Sequence, residues 1–295
     1  AGVAARLALV SLIAGLGVAV VKERAARAQA TRAQAAQEFL GSLFLLADPD
    51  QAKGAKLTAR DLLDRGAARV DESLAGQPEL LAEMLGLLGK VYVQLGLYAD
   101  AEKLYQRALE LELERLGPEN PRLAESYRLL GGALHRQAKY PAARPMMERA
   151  LVLFERGGDE LASSSALQDL ALLARAEGDS EQARRLLVRV VNVRSRLGEN
   201  DSRDLAKSLN NLVLVILRDK LYRAAAVVFK RALAIHRKNE GEVSSLVAGT
   251  EDNLATVLNL AGDRDAARLH IENAVGILER LHDRPHPDLA RALNS

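Results

Sequence analysis

The sequence predicts an all-α fold: a right-handed superhelical solenoid of stacked helix pairs, preceded by a transmembrane helix and a helical stalk. Three observations support this prediction. Helix-favouring Ala, Leu, Arg and Glu are abundant, and only 3% of the 295 residues are aromatic, which argues against a large mixed sheet. A pattern of small and large apolar residues returns about every 42 residues from position 57 onward. The first 21 residues are almost entirely apolar.

The bulk composition excludes several classes of function. Lys and Arg number 41 and Asp and Glu 39, so a net charge of +2 does not direct the chain to nucleic acid. The chain has no cysteine, which rules out disulfides and thiolate metal sites. It begins with Ala and ends at DLARALNS, so we expect it to be a piece of a longer protein.

Residues 1–21 are predicted to form a single membrane-spanning helix. Residues 2–21 are apolar except for Arg6 and Ser11, and twenty helical residues reach about 30 Å, the thickness of the hydrocarbon core. Arg6 stands near one end and can snorkel to the headgroups. The alternatives are a buried core helix and a cleaved signal peptide. The second is disfavoured because Lys22 and Arg24 would stand between its apolar region and the cut.

A helical stalk and a degenerate capping repeat are predicted to follow. Residues 22–47 begin with a run free of Gly and Pro that has little apolar surface, and they end in the apolar segment FLGSLFLL. Residues 48–81 contain LTARDLLDRGAARVDESL at 57–74, which fits the second helix of a repeat unit. Its Ala59, Leu63 and Gly66 lie 42 residues before Ala101, Tyr105 and Ala108.

The repeat itself is a pattern of small and large residues. An alanine is followed four residues later by a large apolar residue and seven later by a small one, and another small residue lies twelve before it. The pattern predicts a helix, a tight turn and a second helix, with small residues where backbones approach closely. A lone pair cannot bury its apolar face, but stacked pairs can. The alanines are Ala101, Ala143, Ala183, Ala225 and Ala267; the large residues are Tyr105, Met147, Leu187, Phe229 and Ile271.

This signature resembles the tetratricopeptide repeat, in the longer 42-residue form of kinesin light chain and related bacterial proteins. The wording LNNL at 209–212, followed by LYRAAAVVFKRALAI, is similar to that subclass. The resemblance implies five units at 82–123, 124–163, 164–205, 206–247 and 248–289, with 290–295 opening a truncated sixth. Ala138 and Lys220 depart from it because they stand where other units place a turn glycine.

A narrower resemblance concerns the segment upstream. The apolar span, FLGSLFLLADPDQAKGAKLTARDLLDRGAARV and the following repeat resemble the region after the catalytic domain of bacterial membrane-anchored serine/threonine protein kinases. The chain itself has no glycine-rich phosphate loop, HRD or DFG motif, and no other catalytic motif. We therefore expect no cofactor here; ATP and Mg²⁺ are expected only if a kinase domain precedes residue 1.

The resemblance also implies a groove, lined by the first helix of each unit, that binds a protein segment. Amides can pair with the backbone of an extended peptide, and Arg can hold carboxylates or phosphates. Asn211 and Asn253 share one position in successive units. Asp169 and Asp252 lie on the same predicted face. The alternative is that all of these residues are solvated polar positions without a ligand. The predicted groove residues are Lys90, Gln94, Arg128, His135, Arg136, Gln168, Arg175, Asn210, Asn211, Arg218, Asn253 and Asn259.

Three other clusters are predicted to be structural. His270, His282 and His286 invite a metal hypothesis, but the prolines around the last two indicate a loop and not a helical ligand pair. The serines at 163–165 lack a base placed by any motif and suit a helix start. The basic run RSR at 194–196 is predicted to be a solvated helix face.

The sequence thus predicts a membrane-tethered scaffold or sensor that binds a protein or peptide ligand, with no nucleic-acid partner. The rival hypothesis is a structural module that multimerises through stalk and repeats without a peptide ligand. The side of the membrane on which the repeats lie stays open. Basic residues after the span favour the cytoplasm, whereas the kinase resemblance implies the opposite side.

Overall fold

The computed structural model describes residues 58–74 and 76–281, which are helical apart from short turns. All residues before Thr58 lie outside this described part, including the predicted transmembrane helix, the predicted stalk and the start of the predicted capping repeat. His282, His286 and the predicted start of a sixth unit at 290–295 lie outside it too. Within the described residues, no helix combines the length and apolar character that a bilayer span requires.

The chain divides into two compact units, the first of which ends at Gly117. It contains α1 (Ala59–Ser73), α2 (Pro78–Gln94) and α3 (Tyr98–Leu116). Thr58 begins α1 with a capping box: its side-chain oxygen accepts a hydrogen bond from the backbone N–H of Asp61, and the Asp61 carboxylate accepts one from the backbone N–H of Thr58. The hydroxyl of Tyr92 donates to Asp64 across 2.6 Å and so joins α2 to α1. Burial and this carboxylate raise the pKa of Tyr92.

The second unit begins at Pro118, and its described residues, which end at Leu281, form four consecutive helix pairs. After a single 3-10 turn at Pro121–Leu123, its helices are α4 (Ala124–Arg136), α5 (Tyr140–Gly157), α6 (Glu160–Glu177), α7 (Ser180–Arg196), α8 (Arg203–Arg218), α9 (Tyr222–Glu240), α10 (Ser245–Leu260) and α11 (Arg264–Leu281). Within this unit, α5, α7 and α9 each pack against the first helix of the next pair. The all-α fold of stacked helix pairs is confirmed. The first helices of the four pairs begin at Ala124, Glu160, Arg203 and Ser245. The units were predicted to begin at 124, 164, 206 and 248.

Small residues occupy the helix crossings that the sequence pattern predicts. The alanines Ala143, Ala183 and Ala225 are fully buried. At Gly131 an added Cβ would lie 2.8 Å from Cγ of Met147 and 3.3 Å from its backbone nitrogen, so only glycine lets α4 approach α5 this closely. The helices can therefore pack this closely only because the residues at their crossings have small side chains or none.

The turn inside each pair has one backbone conformation whatever residue occupies it. The positive φ angles are 76° at Gly96, 92° at Gly178 and 88° at Gly262, and the turn residues Ala138 and Lys220 both take φ 58°. An L-residue pays about 1–2 kcal/mol to enter this left-handed region. The two departures noted in the sequence thus keep the turn geometry at a local cost.

Candidate functional site

The predicted groove residues all lie on first helices. Lys90 and Gln94 are exposed on α2 in the first unit. In the second unit, α4 and α6 contact each other, as do α6 and α8, so their outer faces are contiguous. The predicted residues of this unit are Arg128, His135 and Arg136 on α4, Gln168 and Arg175 on α6, Asn210, Asn211 and Arg218 on α8, and Asn253 and Asn259 on α10.

An open pocket of about 320 Å³ lies between α8 and α10. Asn210 and Asn253 line it, one from each helix, and neither amide has a hydrogen-bond partner among the described residues. Its apolar lining includes Leu214 and Leu246, whose side chains are 52% and 46% exposed, together with Phe229. The pocket therefore combines unused amide groups with accessible apolar surface.

The pocket joins a different pair of asparagines from the one that the repeat register suggested. Asn211, which shares its repeat position with Asn253, is half-buried and does not line the pocket. Asp252, also assigned to this face, is only 7% exposed and so adds little to an open surface. Its neighbour Asn253 is exposed.

Arg128 is held by carboxylates of its own chain. Its Nε and Nη2 donate to the two oxygens of Glu125 at 2.8 and 3.0 Å, and its Nη1 donates to Asp169 on α6 at 3.0 Å. Burial alone would lower the pKa of Arg128, but these hydrogen bonds and charges raise it above its ordinary value. Burial raises the pKa of Asp169, and Arg128 opposes that rise. Arg128 thus links α4 to α6 and has few donors left for a ligand.

Gln168 is also engaged, in a buried network around Arg194. The Ser208 hydroxyl donates to Gln168 Oε1 at 2.6 Å and accepts from Nη1 of Arg194 at 2.9 Å. Arg194 also donates to Ser164 at 3.1 Å and to the carbonyl oxygen of Asp204 at 2.6 Å. This network joins α6, α7 and α8 beneath the predicted groove.

The prediction that RSR at 194–196 is a solvated helix face is wrong for its first residue. Arg194 is only 3% exposed, whereas Arg196 is exposed and pairs with Glu160 at 2.7 Å. A guanidinium can be buried there because serines of α6 and α8 supply acceptors around it. Ser164, one of three serines predicted to mark a helix start, donates to the Leu161 carbonyl and accepts from Arg194.

Positive charge gathers where α4 and α6 end. His135, Arg136 and Arg175 lie near one another there, and neither arginine forms an ion pair within the part of the chain that the structure describes. Burial lowers the pKa of His135, and the charges of Arg136 and Arg175 lower it further, while the charge of Asp169 opposes them. Arg218 and Asn259 are exposed near the ends of α8 and α10. This edge favours an anionic group.

A second buried polar cluster was missed in the sequence. Glu251 is fully buried on α10, where its carboxylate accepts from Arg237 of α9 at 2.6 Å and lies 2.5 Å from Nδ1 of His270 on α11. His270 therefore has a structural partner. Residues 58–74 and 76–281 contain no group of three His, Cys, Asp or Glu side chains placed to hold a metal.

Comparison with known sequences identifies the repeat. The profile of one tetratricopeptide repeat group matches residues 80–156 and 161–238, and that of a second group matches residues 247–288. Protein KINESIN LIGHT CHAIN-RELATED 1 of Arabidopsis thaliana is 25% identical over 227 residues, 75% of this chain and 36% of the relative. Protein KINESIN LIGHT CHAIN-RELATED 3 of the same plant is 25% identical over 209 residues, 69% of this chain and 32% of the relative. The chain thus spans about a third of the length of these relatives.

Two solved structures share the fold. The crystal structure of BtubC (BKLC) from P. vanneervenii superposes with a TM-score of 0.64 at 24% identity, covering 76% of this chain and 92% of that one. A putative kinesin light chain of Podosopora anserina with nearly identical repeats superposes with a TM-score of 0.62 at 18% identity, covering 70% and 99%. At these identities the likeness concerns the fold alone.

Proposed function

The chain belongs to the tetratricopeptide repeat family, a scaffold for protein–protein interaction, and from this premise we propose that its first-helix groove binds an extended segment of a partner protein. The observation that carries the proposal is the pocket between α8 and α10. Two unpartnered amides flank accessible apolar side chains there. An amide offers both a donor and an acceptor, which suits the backbone of an extended peptide.

The chemistry of the pocket suggests the kind of segment. Leu214, Leu246 and Phe229 offer a surface that an aliphatic or aromatic side chain of the ligand covers. Arg136 and Arg175 at the far edge favour an acidic residue or a terminal carboxylate, since neither charge is neutralised within the described residues. We therefore propose a ligand that carries an apolar residue and, further along, a carboxylate.

The predicted residues divide into three groups in this proposal. Asn210, Asn253, Arg136 and Arg175 contact the ligand. Arg128 and Gln168 act as positioning residues, because their polar atoms already bind Glu125, Asp169 and Ser208. In the second unit, His135, Asn211, Arg218 and Asn259 remain proposed groove residues whose contacts depend on the length of the ligand. Lys90 and Gln94 stay a prediction for the first unit taken by itself.

A peptide display selection tests the groove. Random twelve-residue peptides are selected on the wild-type protein, and the Kd of each enriched peptide is measured by fluorescence anisotropy. Asn210→Ala with Asn253→Ala is expected to weaken binding by about tenfold or more, because each lost amide leaves a ligand backbone group unpaired. Asn192→Ala is the matched control, since Asn192 is exposed on the second helix α7. The proposal is contradicted if the enriched peptides bind the double variant with the same Kd as they bind the wild-type protein.

The wider context is proposed from the upstream resemblance. The apolar residues 2–21 and the segment that follows resemble the post-kinase region of membrane-anchored bacterial serine/threonine kinases. We propose that the repeats form the sensory or scaffolding part of such a kinase. Sequencing the gene upstream of residue 1 tests this: a kinase domain with its HRD and DFG motifs is expected, and an open reading frame without one contradicts the proposal.

A further inference from the structure

Two second-helix surfaces of the second unit carry opposite charge in the same spacing. On α9, Arg223 and Lys230 flank Val227. On α11, Asp265 and Glu272 flank Leu269. Each α11 residue stands 42 positions after its α9 equivalent, so the two triplets occupy the same repeat positions. We call them the basic face and the acidic face.

Both faces are open to solvent. Val227 is 69% exposed and Leu269 is 57% exposed, and all four flanking charged side chains are exposed. The basic face borders an open pocket of about 450 Å³ between α9 and the turn that leads from α10 to α11, with Leu258 and Gly262 among its lining residues. Val227 itself lines this pocket, together with Arg223, Lys230 and Asp263.

The charges of the two faces are largely unused within the chain. Among the described residues, Arg223, Lys230 and Asp265 have no ion-pair or hydrogen-bond partner. Glu272 pairs with Arg268 at 2.9 Å, but the two side chains are 60% and 83% exposed, so the pair contributes little and releases Glu272 readily.

The earlier pairs do not have this pattern. The equivalent positions hold Pro141, Pro145 and Glu148 on α5. On α7 they hold Glu181 and Arg185, which pair with each other at 2.5 Å. Repetition of the fold therefore does not account for the two complementary faces.

We propose that the basic face of one copy of this chain binds the acidic face of a second copy. With the helices parallel, Arg223 meets Asp265, Val227 meets Leu269 and Lys230 meets Glu272 of the second copy. Seven residues of helix span about 10.5 Å on either face, so the charges coincide in register. Because one chain carries both faces, a two-fold arrangement makes the contact twice, as a self-complementary dimer requires.

A second copy fits this surface better than an unrelated acidic partner. The complementary face has the required signs, the required apolar residue and the required spacing, and it belongs to the chain itself. Packing the basic face on another basic face would oppose like charges, which costs several kcal/mol across an interface. The charges therefore favour the pairing of a basic face with an acidic face over either pairing of like faces.

Cysteine cross-linking tests the proposal directly, because the natural chain has no cysteine. The full chain with Val227→Cys is mixed with the full chain with Leu269→Cys and oxidised. A covalent dimer of about twice 31.9 kDa is expected, since a disulfide needs Cβ atoms about 4 Å apart. Val188→Cys replaces Val227→Cys in the control mixture, because Val188 is 42% exposed on α7 and belongs to neither face. A yield no higher than this control overturns the proposal.

Charge reversal tests the chemistry of the contact. Arg223→Glu with Lys230→Glu, or Asp265→Lys with Glu272→Lys, is introduced into both cysteine variants. Each reversal alone is expected to lower the cross-linking yield about tenfold or more, because the charges of the two facing triplets then have the same sign. A mixture of the two reversed proteins restores every opposite pair and the yield. The proposal is contradicted if charge reversal leaves the cross-linking yield unchanged, or if the mixture of the two reversed proteins does not recover the yield of the unreversed pair.

Discussion

The buried guanidinium of Arg194 provides the sharpest test of the core. Arg194→Met keeps an unbranched side chain as far as the position of Nε and removes the donors that reach Ser164, Ser165, Ser208 and the Asp204 carbonyl. Each lost hydrogen bond should lower the free energy of unfolding by about 1 kcal/mol. This value lies near the low end of the range for a buried polar group that loses a partner, because the serine and carbonyl oxygens keep other hydrogen bonds. Burial lowers the pKa of Arg194, so removing the charge returns part of this cost. We expect a net loss of about 2–3 kcal/mol.

The loss is measured by urea and thermal unfolding followed by circular dichroism. For a chain of this size about 1 kcal/mol corresponds to about 2–4 °C, so the midpoint should fall by about 4–12 °C. Arg196→Met is the matched control two residues away: it removes an exposed pair with Glu160 and should change stability by less than about 1 kcal/mol. Equal losses for the two variants would refute the reasoning.

Four further predictions concern helix crossings, turns and pH, each measured by the same unfolding assays. Gly131→Ala should destabilise by about 1–3 kcal/mol because its Cβ overlaps the facing helix, whereas Gly132→Ala, with nothing within 4 Å, should stabilise by about 0.5–1 kcal/mol; equal shifts would contradict the crossing geometry. Ala143→Leu should cost about 1–3 kcal/mol at its fully buried position, and unchanged stability would mean that the repeat register is wrong. Lys220→Gly should stabilise by about 0.5–1 kcal/mol by relieving its positive φ, and a loss would argue against that conformation. Burial lowers the pKa of His236 in the folded chain, so as the pH falls His236 takes up a proton in the unfolded chain before it does so in the folded chain. The free energy of unfolding therefore keeps the full contribution of His236 above about pH 6.5 and loses it as the pH drops towards the lowered pKa. His236→Leu should remove part of that decline between about pH 7.5 and 5.5, and an identical slope would exclude the histidine as its source.

The architecture could be predicted because its signals are local and repeated. The 42-residue spacing of small residues locates the helix crossings, and the structure buries Ala143, Ala183 and Ala225 at them. The turn inside each pair was also predictable, even without glycine. Lys220 takes the same left-handed backbone as Gly178, since packing of the flanking helices imposes the turn and the residue accommodates it.

The candidate site was less predictable because equal repeat positions do not ensure equal surroundings. Asn211 and Asn253 share a position, yet only Asn253 lines the pocket, where it is joined by Asn210. The rotation between consecutive pairs decides which side chain of a first helix meets the next, and one sequence carries no measure of that rotation. Arg128 likewise looked available for a ligand, but Asp169 is brought within 3.0 Å of it only by the stacking of α4 on α6.

The buried charges show why the remaining chemistry escapes a pattern-based prediction. The position of Glu251 is occupied by Leu85, Leu167 and Leu209 in other pairs, and an apolar residue is what the helical period requires there. A carboxylate can replace it only because Arg237 and His270, on two other helices, supply its partners. In the sequence, such a site is visible only as a residue that differs from the usual residue type at its repeat position. What that difference does structurally depends on a second unusual residue elsewhere in the chain.

The same reasoning applies to the basic and acidic faces, where Val227 and Leu269 both differ from the Pro and Arg at the equivalent positions of earlier pairs. In a repeat protein, positions that keep their residue type build the stack, and paired departures are where binding surfaces should be sought.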